Sequence, residues 1–354
     1  MEIEVVSSES ALPPLFDEWR SLQLRAGRWL FTDPAFFQAW WDIQGRAGGQ
    51  TLHVVTGRRQ GRLVALAPLV IVRRYGLRIL EWPGADVLDY GDIILDGDVD
   101  CAEIWRAVRR SRKYDLALLR SVHLDCSCRR TIADFGHPIR TKTLYYFNND
   151  WASGEAWFNQ QLSPKKRKRL RHMERQLAKC EQVSFNVHTV GRAPHAVMRS
   201  MVEQKTAWAA HNGKTGLFDD PPSAAALLTR FADAAGELGN LHLSWLSRGE
   251  QIIAVHFGFV HRNVLYYYMP SYDMAWARCS PGSLLLARLV AWCSDSKLSG
   301  LDFMQGSDPY KASFANSRVT VEDFSFARST RGWAAQLAAR KLFFRTARVE
   351  NNHP

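Results

Sequence analysis

Two stretches 189 residues apart repeat one plan of apolar and polar positions. Leu52-His53-Val54-Val55-Thr56, a turn over 57–61 and Leu63-Val64-Ala65-Leu66-Ala67 predict one β-hairpin. Leu241-His242-Leu243-Ser244-Trp245, a turn over 247–251 and Ile252-Ile253-Ala254-Val255-His256 predict another. They superpose without a gap, Leu52 on Leu241, His53 on His242 and Ala65 on Ala254, which predicts a duplicated domain. In the second half a third strand, 264–269, follows the turn His261-Arg262-Asn263 and completes an antiparallel meander. A loop over 270–283 leads into a helix with Leu285, Leu289 and Trp292 on one stripe and Leu286, Val290 and Cys293 beside it. Ser299-Gly300 ends that helix, and 301–304 predicts a short buried strand. Upstream, Ser163 as N-cap and Pro164 at the first helical position open a basic helix over 164–180. A strand over 183–190 and helices near 193–211 and 222–236 fill the interval. This order predicts an α+β fold with a mixed, mainly antiparallel sheet flanked by helices.

Composition narrows the class. With 354 residues, 46% hydrophobic and 23% charged, the chain is ordinary globular material long enough for two cores. We expect domains over 1–150 and 151–325 and a basic amphipathic helix over 326–354. The apolar run from Leu63 to Val72 contains Pro68 and falls well short of the ~20 residues of a membrane span. The acidic start lacks a secretory pattern, so a cytoplasmic protein is expected. Six cysteines are scattered, and His123, Cys126, Cys128 and His137 do not have structural zinc spacing, so no metal is expected.

Charge is lopsided. Of the net +11, residues 1–150 hold 20 Lys+Arg against 19 Asp+Glu, and the rest of the chain holds the excess. It concentrates in Lys165-Lys166-Arg167-Lys168-Arg169-Leu170-Arg171 and in the tail from Arg328 to Arg348. Such runs suit an anionic partner, tRNA or a membrane surface, and equally a solvated helix face; nothing points to DNA. The tail mixes Trp333, Leu337 and Phe343 with Arg331, Arg340 and Arg345, so it suits peripheral membrane contact or docking on its own domain.

Candidate chemistry gathers in the last third. Ser280-Pro281-Gly282 sets a tight turn before a helix whose first N–H groups lack intrahelical partners. With Ser283 and Arg278 alongside, this turn suits a phosphate, although such tripeptides also serve simply as helix caps.

Together with Asp302-Phe303-x-x-Gly306 and Tyr310-Lys311, the run Ser280-Pro281-Gly282-x-Leu284-Leu285 resembles the second domain of CelD-like (BioF2-like) acetyltransferases. These belong to the GNAT superfamily and are related to Fem-type transferases. Ser163-Pro164-Lys165-x-Arg167, Phe36-Phe37-x-Ala39-Trp40-Trp41, Leu66-Ala67-Pro68-Leu69 and Asp89-Tyr90-Gly91-Asp92 extend the resemblance over most of residues 30–320. It implies tandem GNAT-like domains, the first a scaffold and part of an acceptor cleft, the second an acyltransferase. It implies acyl-CoA, or a related thioester, as donor and a small-molecule or glycan amine as acceptor, in exopolysaccharide, cellulose or envelope metabolism. Pantetheine would lie between the splayed strands 264–269, carrying Tyr268, and 301–304, with the diphosphate on Arg278 to Ser283. Tyr310 would protonate the departing sulfur and Lys311 would stabilise charge. Asp302, Asp273, His256 and His242 are the candidate bases; Asp308, which stands where the family commonly has Glu, is a further candidate catalytic carboxylate. Two rival readings remain. One is a Fem-type transferase fed by aminoacyl-tRNA, and the other is a non-catalytic accessory protein of a polysaccharide synthase.

Overall fold

Both expected hairpins form, and their pairing is the same once numbers are shifted by 189. The structure, a computed structural model, describes residues 1–179, 181–306 and 308–338. Strand Val54–Arg59 pairs antiparallel with Arg62–Ala67, Val55 facing Ala67 and Gly57 facing Ala65, before the register slips so that Arg58 faces Leu63. Strand Leu241–Arg248 pairs with Gln251–His261, Ser244 facing His256 and Leu246 facing Ala254, before the same slip puts Ser247 opposite Ile252. The flanking strands follow suit: Glu2 faces Arg58, and Ser184 faces Ser247. The repeat extends to the position of the irregularity. His53 and His242, equivalent in it, are both fully buried.

The chain divides into two units, Met1–Thr143 with the residues from Thr320 on, and Leu144–Val319. In the first, strands Glu2–Val6, Val54–Arg59, Arg62–Ala67 and Ile94–Leu95 form one sheet in that order. Trp19, Phe36, Phe37 and Trp105 are fully buried in it. In the second, the order is Val183–His188, Leu241–Arg248, Gln251–His261, Val264–Tyr272, Gly300–Asp302 and then the end of His137–Asn148. Helix Pro281–Asp295 lays Leu285, Leu286, Leu289 and Val290 into the core with Leu246, Leu265, Leu301, Phe303 and Trp157. Each such buried side chain contributes roughly 1.5–3 kcal/mol.

Each unit also pairs a strand with one from the other half of the sequence, in the first unit outside its four-stranded sheet. Tyr146–Asn148 pair with Gly300–Asp302, and Val321–Ala327 pair with Leu116–His123. Gly300 permits the first pairing, since a Cβ there would stand 2.4 Å from the Phe147 carbonyl oxygen. The observed division therefore falls at 143/144 and 319/320, not at the expected 150/151 and 325/326. A strand exchange leaves no mark in composition.

Other elements shift by a few residues. The basic helix is Pro164–Leu177, the third meander strand runs on to Tyr272, and the short parallel strand stops at Asp302. Residues 330–338 are helical, with Gln336 Nε2 donating to the Ser325 carbonyl at 2.7 Å. The remainder of the expected tail helix lies outside the described residues. Among those described, no helix is long and apolar enough to cross a membrane.

Candidate active site

A cavity of about 350 Å³ opens where two parallel strands part. Val264, Leu265 and Tyr266 pair with Gly300, Leu301 and Asp302, and the ladder ends there. The first strand continues along its other neighbour, with a register slip between Phe257 and Phe259 that places an extra residue near Tyr267 and Tyr268. The second chain turns away. The Asp302 carboxylate accepts the Met304 N–H at 2.7 Å, and Met304 adopts a left-handed φ of 56°.

Four segments line the cavity. The strand supplies Tyr267, Tyr268, Pro270, Ser271 and Tyr272. Next comes the turn from Ser280 to Ser283. The Asp273 carboxylate accepts the Ala275 N–H at 2.9 Å and starts the short helix Met274–Cys279, and Ser280, at φ 46°, redirects the chain into Pro281–Asp295. Ser283 and Leu284 N–H bond the Ser280 carbonyl at 3.0 and 3.3 Å. The positive end of this helix thus faces the cavity. A Cβ on Gly282 would meet only the Tyr272 ring at 3.5 Å, so packing within the protein does not demand glycine here.

The third segment carries Gln305, Asp308, Tyr310 and Lys311. Lys311 is buried and turned inward: its Nζ donates to the carbonyls of Gln305 at 2.6 Å, Phe303 at 3.0 Å and Gly306 at 3.4 Å, with Asp308 Oδ2 at 3.8 Å. Its ammonium is a clamp on the 303–306 turn. The Tyr310 phenol is hydrogen-bonded to that of Tyr267, and burial pushes it up to about 12; burial also raises Tyr267 well above the usual phenol range. Both phenols therefore stay protonated at neutral pH.

The fourth segment, helix His195–His211, adds Lys205 and Trp208, neither singled out by the sequence. Gln204 fixes the helix, donating to the Ile252 carbonyl at 3.0 Å and accepting from Ser271 Oγ at 2.8 Å. Lys205 Nζ lies 5.0 Å from the centre of the Trp208 ring. Burial pushes its ammonium down to about 8, against the pull of Asp308 and with the push of Lys311. The only available signal was Lys205 and Trp208 one turn apart, which also reads as a solvated face.

Of the expected site residues, Tyr268, Ser280, Pro281, Gly282, Ser283, Asp308, Tyr310 and Lys311 line the cavity, whereas Arg278, Asp302 and His256 do not. Arg278 is exposed on the short helix. Asp302 is buried behind the turn it holds. His256 is fully buried, stacked on the Tyr267 ring at 4.8 Å and tilted against His242 at 5.6 Å; burial holds it well below the usual imidazole range. Neither is placed to take a proton from a substrate in the cavity. The basic run is also partly spent: Lys166 donates to the Ser313 carbonyl at 2.8 Å and lies over Phe314, and Arg167 donates to the Leu162 carbonyl at 2.7 Å. Lys165, Lys168, Arg169 and Arg171 are exposed. Among the described residues no three His, Cys, Asp or Glu side chains are grouped to hold a metal.

Residues 164–312 match the family model of the acetyltransferase (GNAT) domain. No curated protein matches the chain in sequence. A crystal structure of FemX is 10% identical, with 96% of this chain covering 100% of that one at a TM-score of 0.60. The L-PGS structure from Bacillus licheniformis is 12% identical, covering 94% of this chain and 96% of that one at 0.53. A tandem GNAT protein from the clavulanic acid biosynthesis pathway is 11% identical, covering 93% and 99% at 0.50. Strand order, splayed cavity and family match agree: residues 164–312 match the acetyltransferase (GNAT) domain, and the chain as a whole has the fold seen in FemX and in the tandem GNAT protein.

Proposed function

We propose that this protein is an N-acyltransferase moving an acyl group from acyl-CoA, or a related thioester, to an amine. The observation that carries the reading is one cavity bounded by a helix N-terminus at Ser280–Ser283 and by the paired phenols of Tyr267 and Tyr310. A diphosphate suits the first, since N–H groups and helix dipole both favour an anion there. A departing thiolate suits the second. The amine nitrogen attacks the thioester carbonyl, the carbon–sulfur bond breaks, and the sulfur takes the Tyr310 proton. Tyr267 supports the phenolate by donating to it. The proton released by the amine passes to Asp308, the carboxylate in the cavity wall, and returns to Tyr310 through solvent. The resemblance to CelD-like enzymes favours an amine on a glycan or its precursor, in exopolysaccharide or envelope metabolism.

A second reading has its own observation. Five exposed cations on helix Pro164–Leu177, with a fold shared with FemX and L-PGS, suit aminoacyl-tRNA as donor. Thermal unfolding with acetyl-CoA, longer acyl-CoAs, coenzyme A and bulk tRNA separates the two. A ligand at 100 times its Kd adds about 2.7 kcal/mol. Stabilisation by an acyl-CoA, lost in Gly282→Trp, supports the thioester donor. Stabilisation by tRNA alone, steeply weakened by salt, replaces it with the second reading. Indifference to every ligand overturns both.

A further inference from the structure

The cavity has a cation for which neither the donor nor the protein accounts. Among the described residues three charged side chains line it, Lys205, Lys311 and Asp308. Lys311 spends its donors on three backbone carbonyls and also lies 3.8 Å from Asp308. Lys205 forms no ion pair within 4 Å among the described residues; its ammonium rests beside the Trp208 ring, and Asp308 and Lys311 are its charged neighbours in the cavity. Gln204 bonds into two strands, so the helix that presents Lys205 is held in register on the sheet. A partly desolvated ammonium without a counter-ion is costly, and an anion offered by a ligand removes that cost. In the reading above, the donor's diphosphate takes the helix N-terminus at Ser280–Ser283 and its sulfur takes Tyr310. The wall made by Lys205 and Trp208 is left for the acceptor.

We propose that the acceptor is an amine that also carries an anionic group, a carboxylate or a phosphate, and that Lys205 pairs with it and sets the specificity. This rests on the cavity being the acyl-transfer site. Lys205 is here a substrate-binding residue, and the aromatic face of Trp208 beside it suits a ring carrying that anion.

The test uses the full-length protein and two probes. The first is inorganic phosphate, followed by thermal unfolding with and without saturating coenzyme A. Phosphate is expected to stabilise the coenzyme A complex of wild type and of Lys205→Arg, and to lose that effect in Lys205→Met. The second is acetyl transfer to glucosamine, glucosamine 6-phosphate, lysine and cadaverine. Wild type should favour the anionic member of at least one pair by about 10-fold or more in kcat/KM. Lys205→Met should bring that ratio near one, mainly through KM, with coenzyme A affinity unchanged. Phosphate stabilisation abolished by coenzyme A would assign Lys205 to the donor and overturn the proposal. A Lys205-dependent preference for succinyl-CoA over acetyl-CoA would move the anion to the acyl group and do the same. Equal ratios in wild type and Lys205→Met also overturn it. Failure of coenzyme A to bind, with Lys205-dependent phosphate binding retained, would instead refute the thioester donor and leave the anion site standing.

Discussion

Replacing Lys311 by methionine separates two roles for its ammonium. Methionine keeps the length and volume of the stem while removing the charge. The ammonium's two shorter bonds, to the Gln305 and Phe303 carbonyls at 2.6 and 3.0 Å, are charge-assisted. Such bonds contribute about 1.5–3 kcal/mol each, so their loss costs roughly 3–6 kcal/mol. Against this stands the relief of no longer burying a charge at a position only 4% exposed, on the order of a few kcal/mol. The expected net loss is about 2–3 kcal/mol, felt first in the 303–311 segment that carries Asp308 and Tyr310. Urea denaturation gives the global value, and amide exchange over that segment gives the local one. Turnover should fall with the loss of order. A variant as stable and as protected as wild type, yet inactive, would refute the clamp and return Lys311 to stabilising charge on the substrate.

Three further outcomes follow from the same geometry. Gly282→Ala should leave stability within about 1 kcal/mol of wild type, because its Cβ meets only Tyr272 at 3.5 Å, whereas Gly282→Trp should weaken acyl-CoA binding at least about 10-fold by calorimetry. Tyr310→Phe should lower kcat about 10²-fold or more with KM little changed. Because that phenol is pushed up to about 12, the wild-type rate should show no loss from Tyr310 ionisation below about pH 11 in a kcat–pH profile. Stability should fall on mild acidification through His53 and His242, which burial holds at about 4 and about 3. Their unfolded forms take protons below about 6.5 while the folded forms do not, so stability is intact above 6.5 and lost as pH drops toward 4. Each should cost about 2 kcal/mol by pH 5, and His242→Leu should flatten the slope of urea-derived stability against pH; a wild-type curve level from pH 7.5 to 5 would contradict this.

Much of the fold was legible because register is written in alternation. Leu52 on Leu241 and Ala65 on Ala254 predicted two hairpins, and the pairing repeats down to the slip at Arg58 and Ser247. The turn at Ser280–Ser283 was legible from Pro at the first helical position, and it does line the cavity. Side-chain direction was not. Asp302 and His256 are in the right segments, but one holds a turn and the other lies under Tyr267. Lys205 stood out only by its spacing from Trp208, and helical spacing does not say which neighbour a polar face meets. The strand exchange was hidden for the same reason: His137–Asn148 and Ser317–Ala327 read as ordinary strands, and nothing local names their partners.

That exchange governs how the protein can be made. During synthesis, Leu116–His123 emerges long before its partner Val321–Ala327, about 200 residues further on. At 5–20 residues per second the ribosome needs about 10–40 s to deliver it, and through that time the nascent first unit has an unpaired strand edge exposed to aggregation or chaperones. The second unit already has Tyr146–Asn148 when its own strand Gly300–Asp302 appears, so it can close first. Vectorial folding therefore ends with the N-terminal unit, the reverse of the usual order. A fragment starting at residue 151 would lack the strand that pairs with Gly300–Asp302, and expression of either half alone should yield insoluble chain while the two halves co-expressed recover solubility.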